Sequence, residues 1–175
     1  MPWSSLSLRA LLVAVATLVA AGTAGCGGSG SAEESMTSLK KSRADLQSLV
    51  QDVARTLGSA GIEMEELTGA YRTCRSEPSP GLKYVAGGAS AALDDGPAEP
   101  RLAKVRSALE SDGWTITAGE GTVVAAERDG TTISIGQTTR GGEQVIAFDG
   151  NGECIDADSD ETDALLGETE TIPVR

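Results

Sequence analysis

The residues best suited to chemistry in this sequence are three cysteines, Cys26, Cys74 and Cys154. The 175-residue chain contains no histidine, which excludes Ser-His and Cys-His nucleophile pairs and histidine metal sites. A catalytic dithiol would require Cys-x-x-Cys spacing, which Cys74 and Cys154 lack. In an exported protein, where cysteines usually form disulfides, three cysteines leave one without a partner. The spacing therefore favours a structural Cys74–Cys154 disulfide and a separate role for Cys26.

The residues before Cys26 are typical of a bacterial export signal. Ala10 to Ala21 is an apolar run of twelve residues, whereas a bilayer span needs about 20. This length suits the core of a signal peptide. The sequence Thr23-Ala24-Gly25-Cys26 resembles the lipobox, in which small residues precede a cysteine that becomes lipidated, although leucine is usual where Thr23 stands. Cleavage after Ala24, which would release a soluble protein, is the alternative.

These signals predict four segments. Residues 1–25 form a lipoprotein signal peptide, and residues 26–35 comprise the lipidated Cys26 and a flexible Gly/Ser tether. A tether of this composition reaches roughly 15–18 Å on average, enough to hold a domain away from the lipid headgroups. Residues 36–158 form a single domain, and residues 159–175 form an acidic, disordered tail.

The third group with chemical potential is acidic. Three carboxylates alternate as they do at the start of a calcium-binding loop, namely Asp156, Asp158 and Asp160. The sixth loop position should be glycine and is Glu161, and the twelfth should be glutamate and is Gly167. From Asp149 to Glu170 there are nine acids and no base. Mutual repulsion and little apolar surface therefore favour a solvated tail over a calcium site.

Two helices are expected to help position these residues. Apolar residues at helical spacing predict an amphipathic helix over Met36–Leu57, and Gly58 is a natural stop. A shorter helix is predicted over Pro100–Ser111, because Pro100 suits a first helical position and Glu99 lies near the positive end of the helix dipole.

The remaining sequence predicts strands. Two are expected over 67–74 and 82–86, and a four-strand meander follows Trp114, with a tight hairpin turn at Asp129-Gly130. The resulting prediction is an α+β two-layer sandwich, with two helices packed on one face of an antiparallel sheet of about five or six strands. The predicted disulfide would join the beginning and the end of this sheet.

This layout resembles a family of small uncharacterised actinobacterial membrane lipoproteins. The shared features are a lipobox cysteine, an amphipathic helix, a cysteine-bearing strand, a short helix ending in Gly113-Trp114, a meander and a second cysteine near the end. They extend over about Leu46 to Cys154. The resemblance implies a membrane lipoprotein and no particular activity.

Composition narrows the expected function. A formal net charge of −12 argues against nucleic acid as a partner. The sequence has no Gly-x-Ser-x-Gly elbow and no phosphate-binding glycine loop followed by lysine, so we expect a non-enzymatic protein without a cofactor. The expected function is an interaction or ligand-binding module, held by lipid on Cys26 at the outer face of the cell membrane.

The expected partner is an envelope protein or a small apolar ligand. A carrier of a small apolar ligand is the alternative, with a calcium-responsive envelope protein or a hydrolase as more distant ones. A large apolar pocket would favour the carrier, whereas a filled core would favour a protein partner.

Overall fold

The computed structural model describes residues 32–77, 79–94, 96–118 and 122–174. The predicted signal peptide, Cys26 and the first part of the tether lie outside these residues. The elements, in chain order, are α1 (Ala32–Ser59), β1 (Met64–Arg75), β2 (Gly81–Ser90), α2 (Ala98–Ser111), β3 (Thr115–Ala118), β4 (Val123–Arg128), β5 (Thr131–Arg140), β6 (Glu143–Asn151), β7 (Ile155–Asp156), α3 (Ser159–Leu165) and β8 (Thr169–Ile172).

Helix α1 contains the predicted amphipathic helix and begins before it. The buried residues of this helix include Leu39, Leu46, Val50 and Leu57, which belong to the predicted apolar stripe. The assignment of residues 32–35 to a flexible tether is wrong, because they form the first turn of α1. Glutamates at 33 and 34 favour this start, since negative side chains are stabilising near a helix N-terminus.

The fold is α+β with one large antiparallel sheet and two long helices. The strand order is β3-β4-β5-β6-β2-β1-β8, and β7 pairs with β2. Eight strands exceed the five or six predicted. The two additional strands, β7 and β8, span two and four residues, which is too short for a recognisable hydrophobic alternation.

The turn between β4 and β5 has the predicted chemistry. Asp129 and Gly130 have φ angles of 52° and 76°, as a type I′ hairpin requires at both central positions. The in-register pairing of β4 with β5 follows from this turn, with Arg128 opposite Thr131.

The acidic C-terminal segment is ordered, so the prediction of a disordered tail over residues 159–175 is wrong for α3 and β8. Strand β8 pairs with β1 from Leu67↔Ile172 to Ala70↔Thr169. Ile172 is only 2% exposed. Local repulsion is outweighed here because the edge of β1 satisfies the backbone groups of β8 and the core takes its isoleucine.

A single core joins the helices to the sheet. Helix α1 contacts β1, β2 and β6, whereas α2 contacts β3, β4 and β5, and the two helices touch each other. Fully buried side chains fill the space between these elements, including Leu57, Leu82, Leu109, Ile133 and Ile146. No helix within the described part of the chain is long and apolar enough to cross a membrane.

Candidate functional site

The two cysteines predicted to pair form a disulfide. Cys74 at the end of β1 and Cys154 after β6 are joined, with their Cα atoms 5.9 Å apart. Strand β2 lies between β1 and β6, so the covalent link ties together the two strands that flank β2. Gly81, the first residue of β2, packs against it, since a Cβ atom there would be 3.0 Å from the Cys154 sulfur.

The three alternating aspartates do not form a metal site in the structure. Asp156 lies in β7 and makes an ion pair with Arg75 of β1. Asp158 and Asp160 are exposed and follow β7 into α3. Among the described residues, no group of three cysteine, aspartate or glutamate side chains could hold a metal ion.

The lipidation candidate, Cys26, cannot be placed in the fold, because it lies outside the described residues. Its position in the sequence precedes α1 by a few residues, so a lipid there would hold the N-terminal end of that helix near the membrane.

A concave groove on the sheet is the candidate binding site. It has a volume of about 620 Å³, within the range of small-molecule sites. Parts of β1, β2, β5, β6 and β8 line it. We call it the sheet groove and define its floor as Thr68, Ala70, Gly87, Ala89, Val145 and Ala147.

The floor of the sheet groove is made of small side chains. Ala70, Ala89 and Val145 are only 5%, 7% and 5% exposed. They alternate along their strands with large core residues such as Leu67 and Phe148. An antiparallel sheet with one solvated face usually carries polar side chains there, so this floor is unusually apolar for a sheet surface.

An ion pair spans one end of the sheet groove. Arg140, at the end of β5, donates to Glu66 of β1 at 2.8 Å. In the sheet order β6 and β2 separate these strands, so the sheet must curve for the two side chains to meet. This curvature makes the surface concave.

Two further cations belong to the same face of the sheet. Arg72 of β1 and Lys83 of β2 are directly opposite each other in the antiparallel register. Both are on the side of the strands that carries Ala70 and Val85, because side chains alternate with a period of two. Neither forms an ion pair with another described residue.

No protein-family model, curated protein or solved structure matches this chain. The candidate site therefore depends on the geometry of the described residues alone.

The sheet groove is absent from the sequence-based predictions. Its signal in the sequence is the run of small residues Ala86-Gly87-Gly88-Ala89-Ser90 in β2. That signal becomes meaningful only when the register brings the small residues of several strands side by side.

A second polar cluster joins α1 to β8. The Tyr84 hydroxyl donates to Glu170 Oε1 at 2.5 Å, and Gln47 Nε2 donates to the same oxygen at 2.9 Å. Arg43 makes an ion pair with the other carboxylate oxygen. Burial raises the pKa of Tyr84, and the hydrogen bond to Glu170 raises it further. All these groups have partners within the chain, so the cluster docks β8 against α1.

A third polar cluster surrounds Trp114. Its ring is 3% exposed, as expected for a core residue, and the Arg128 guanidinium lies 4.5 Å from the ring centre. Arg128 also pairs with Asp112 at 3.1 Å and with Asp52 at 3.5 Å. These contacts join α1, the end of α2 and β4, which is a structural role.

Proposed function

We propose that this protein is a lipid-anchored interaction module on the extracytoplasmic side of the cell membrane. The observation that carries the proposal is the Cys74–Cys154 disulfide. Structural disulfides persist in oxidising compartments and are rare in the cytosol. The bond uses two of the three cysteines and leaves Cys26, the residue at the lipobox position, for modification.

Anchoring through Cys26 is consistent with the energetics of lipidation. A single acyl chain binds a membrane only marginally, and stable attachment takes two signals. The diacylglycerol carried by a lipobox cysteine supplies two chains. Residues 26–31 and the N-terminal turn of α1 would then connect the lipid directly to a rigid helix.

We infer that α1 and α2 cover the same face of the sheet. Buried residues of both helices belong to one core with side chains of β2 and β5, including Val50, Val105, Leu82 and Ile133. The floor residues of the sheet groove alternate with these core residues along the strands. The groove would therefore lie on the opposite face of the sheet and be open to a partner.

A protein partner is favoured over a small apolar ligand. The space between helices and sheet is occupied by fully buried side chains, which supports a filled interior. The sheet groove is a surface depression. Together these features support recognition of a macromolecule.

Substitution of Cys26 tests the proposal. The wild-type protein should fractionate with membranes and incorporate an alkyne-tagged fatty acid, whereas Cys26→Ser should lose the label and appear in the medium or as an uncleaved precursor. The double variant Cys74→Ser/Cys154→Ser is the matched control and should keep the label. A soluble wild-type protein whose mature N-terminus is Gly25 would contradict the proposal.

A further inference from the structure

We propose that the sheet groove binds an extended, acidic segment of a partner polypeptide, with its carboxylates on Arg72 and Lys83. This inference rests on the proposed interaction function and specifies the chemistry of its partner. It is carried by Arg72, which lines the groove, and by Lys83, which is directly opposite Arg72 on β2 and outside that lining. The shape and polarity of the floor also support it.

The charge argument begins with Arg72 and Lys83. Side chains directly opposite in an antiparallel pair have Cβ atoms about 4.5–5.5 Å apart, and like charges at such positions are destabilising. The chain has 26 acidic residues, yet neither cation has a described carboxylate within ion-pair distance. An anionic partner would relieve this repulsion, and charge complementarity would place it at this end of the groove.

The floor is suited to an extended peptide. From Arg72 back to Glu66, β1 covers about 20 Å at ~3.3 Å per residue, a length that accommodates several extended residues. Small side chains at Ala70 and Ala89 allow a second backbone to approach the sheet surface closely.

Hydroxyl groups along the groove fit the same partner. Thr68, Thr138 and Thr169 line it, and a threonine hydroxyl both donates and accepts hydrogen bonds. Such groups can pair with the alternating N–H and C=O groups of an extended chain. An acyl chain would leave them unpaired, which is costly on burial.

The test uses the full chain in detergent micelles and a fluorescent peptide of alternating valine and glutamate, capped at both ends. We expect binding that weakens as salt is added and that falls roughly tenfold or more in Arg72→Glu/Lys83→Glu. Lys40→Glu/Lys104→Glu changes the net charge equally at exposed positions away from the groove and should bind like wild type.

A blocking variant tests whether the peptide occupies the groove itself, independently of the charged residues. Thr138→Trp places a large ring at an exposed residue of the groove lining and should reduce binding. Thr132→Trp, at another exposed position of β5 outside that lining, should not. Thermal unfolding of each variant confirms that it is folded.

Four results would overturn this inference. They are no binding of the acidic peptide, equal binding of a valine–lysine peptide, equal losses in both charge-reversal variants, or binding of anionic lipid vesicles that depends on Arg72 and Lys83. None of these results affects lipid labelling at Cys26. Conversely, loss of that labelling with intact peptide binding would contradict the proposed anchor and leave the groove assignment standing.

Discussion

Tyr84 lies directly over Gly69. A Cβ atom at Gly69 would be 1.9 Å from the Tyr84 hydroxyl oxygen and 2.4 Å from its Cζ atom. The missing side chain of β1 therefore makes room for an aromatic ring of β2. In this position the ring meets Tyr71 edge to face, with centroids 5.2 Å apart, and its hydroxyl reaches Glu170 of β8. The absence of a side chain at Gly69 thus allows Tyr84 of β2 to contact both Tyr71 of β1 and Glu170 of β8.

Replacing Gly69 with alanine should destabilise the protein. The added methyl group must displace the Tyr84 ring and its hydrogen bond to Glu170, and overpacking of this kind costs about 1–3 kcal/mol. Urea unfolding measures the change. Gly58→Ala is the control, because nothing lies within 4 Å of its Cβ position in α1 and alanine favours a helix by roughly 0.5–1 kcal/mol. Equal stability of Gly69→Ala and wild type would contradict the predicted clash.

Stability should fall at alkaline pH in a way that depends on Tyr84. Burial, followed by the Glu170 hydrogen bond, raises the pKa of Tyr84 above its usual 10.0. The unfolded chain therefore loses this proton at a lower pH than the folded protein does. The stabilisation is complete below pH 10 and declines above it, by at most about 1.4 kcal/mol per pH unit for one group.

Urea unfolding between about pH 9 and pH 11 tests this dependence. Tyr84→Phe should show a shallower alkaline decline than wild type. Some decline should remain, because burial also raises the pKa of Tyr71. Identical slopes for wild type and Tyr84→Phe would show that Tyr84 makes no contribution.

Loss of the disulfide should lower stability substantially. The bond closes a sequence separation of 80 residues, and removal of a native disulfide typically costs about 2–5 kcal/mol. Cys74→Ser/Cys154→Ser should unfold at lower temperature than wild type under oxidising conditions. A reductant should lower the wild-type melting temperature and leave that of the double variant unchanged. Non-reducing peptide mapping that found both thiols free would contradict the pairing.

The C-terminal strand should contribute to stability. Ile172→Ala removes a side chain that is 2% exposed, for which a loss of up to about 2–5 kcal/mol is expected. Val174→Ala is the control, because Val174 is 48% exposed and its change should lie within about 0.5 kcal/mol. Equal melting temperatures for these two variants would show that β8 is not docked in solution.

Calcium should not change the melting temperature. Asp156 is paired with Arg75, and the described acidic residues form no group able to hold a metal. A ligand stabilises a fold only if it binds the folded state preferentially. Thermal unfolding in millimolar calcium and in chelator should therefore coincide. A calcium-dependent rise that is lost in Asp156→Asn/Asp158→Asn/Asp160→Asn would restore the calcium-loop interpretation.

Features that depend on neighbouring residues were predictable from the sequence. The amphipathic stripe of α1 follows from helical spacing, and the turn at Asp129-Gly130 follows from residues that tolerate positive φ. The Cys74–Cys154 bond was predicted from chemistry and number, because the chain has three cysteines and one of them, Cys26, stands at the predicted lipobox position.

Features that depend on pairing between distant strands were decided only by the tertiary structure. The edge of β1 recruits β8 from an acidic segment whose composition predicts disorder, because Ile172 finds a core site and Glu170 finds Arg43, Gln47 and Tyr84. The sheet groove likewise arises when the register aligns small residues from separate strands. Local sequence patterns specify which residues alternate, but the long-range register determines which side chains become neighbours.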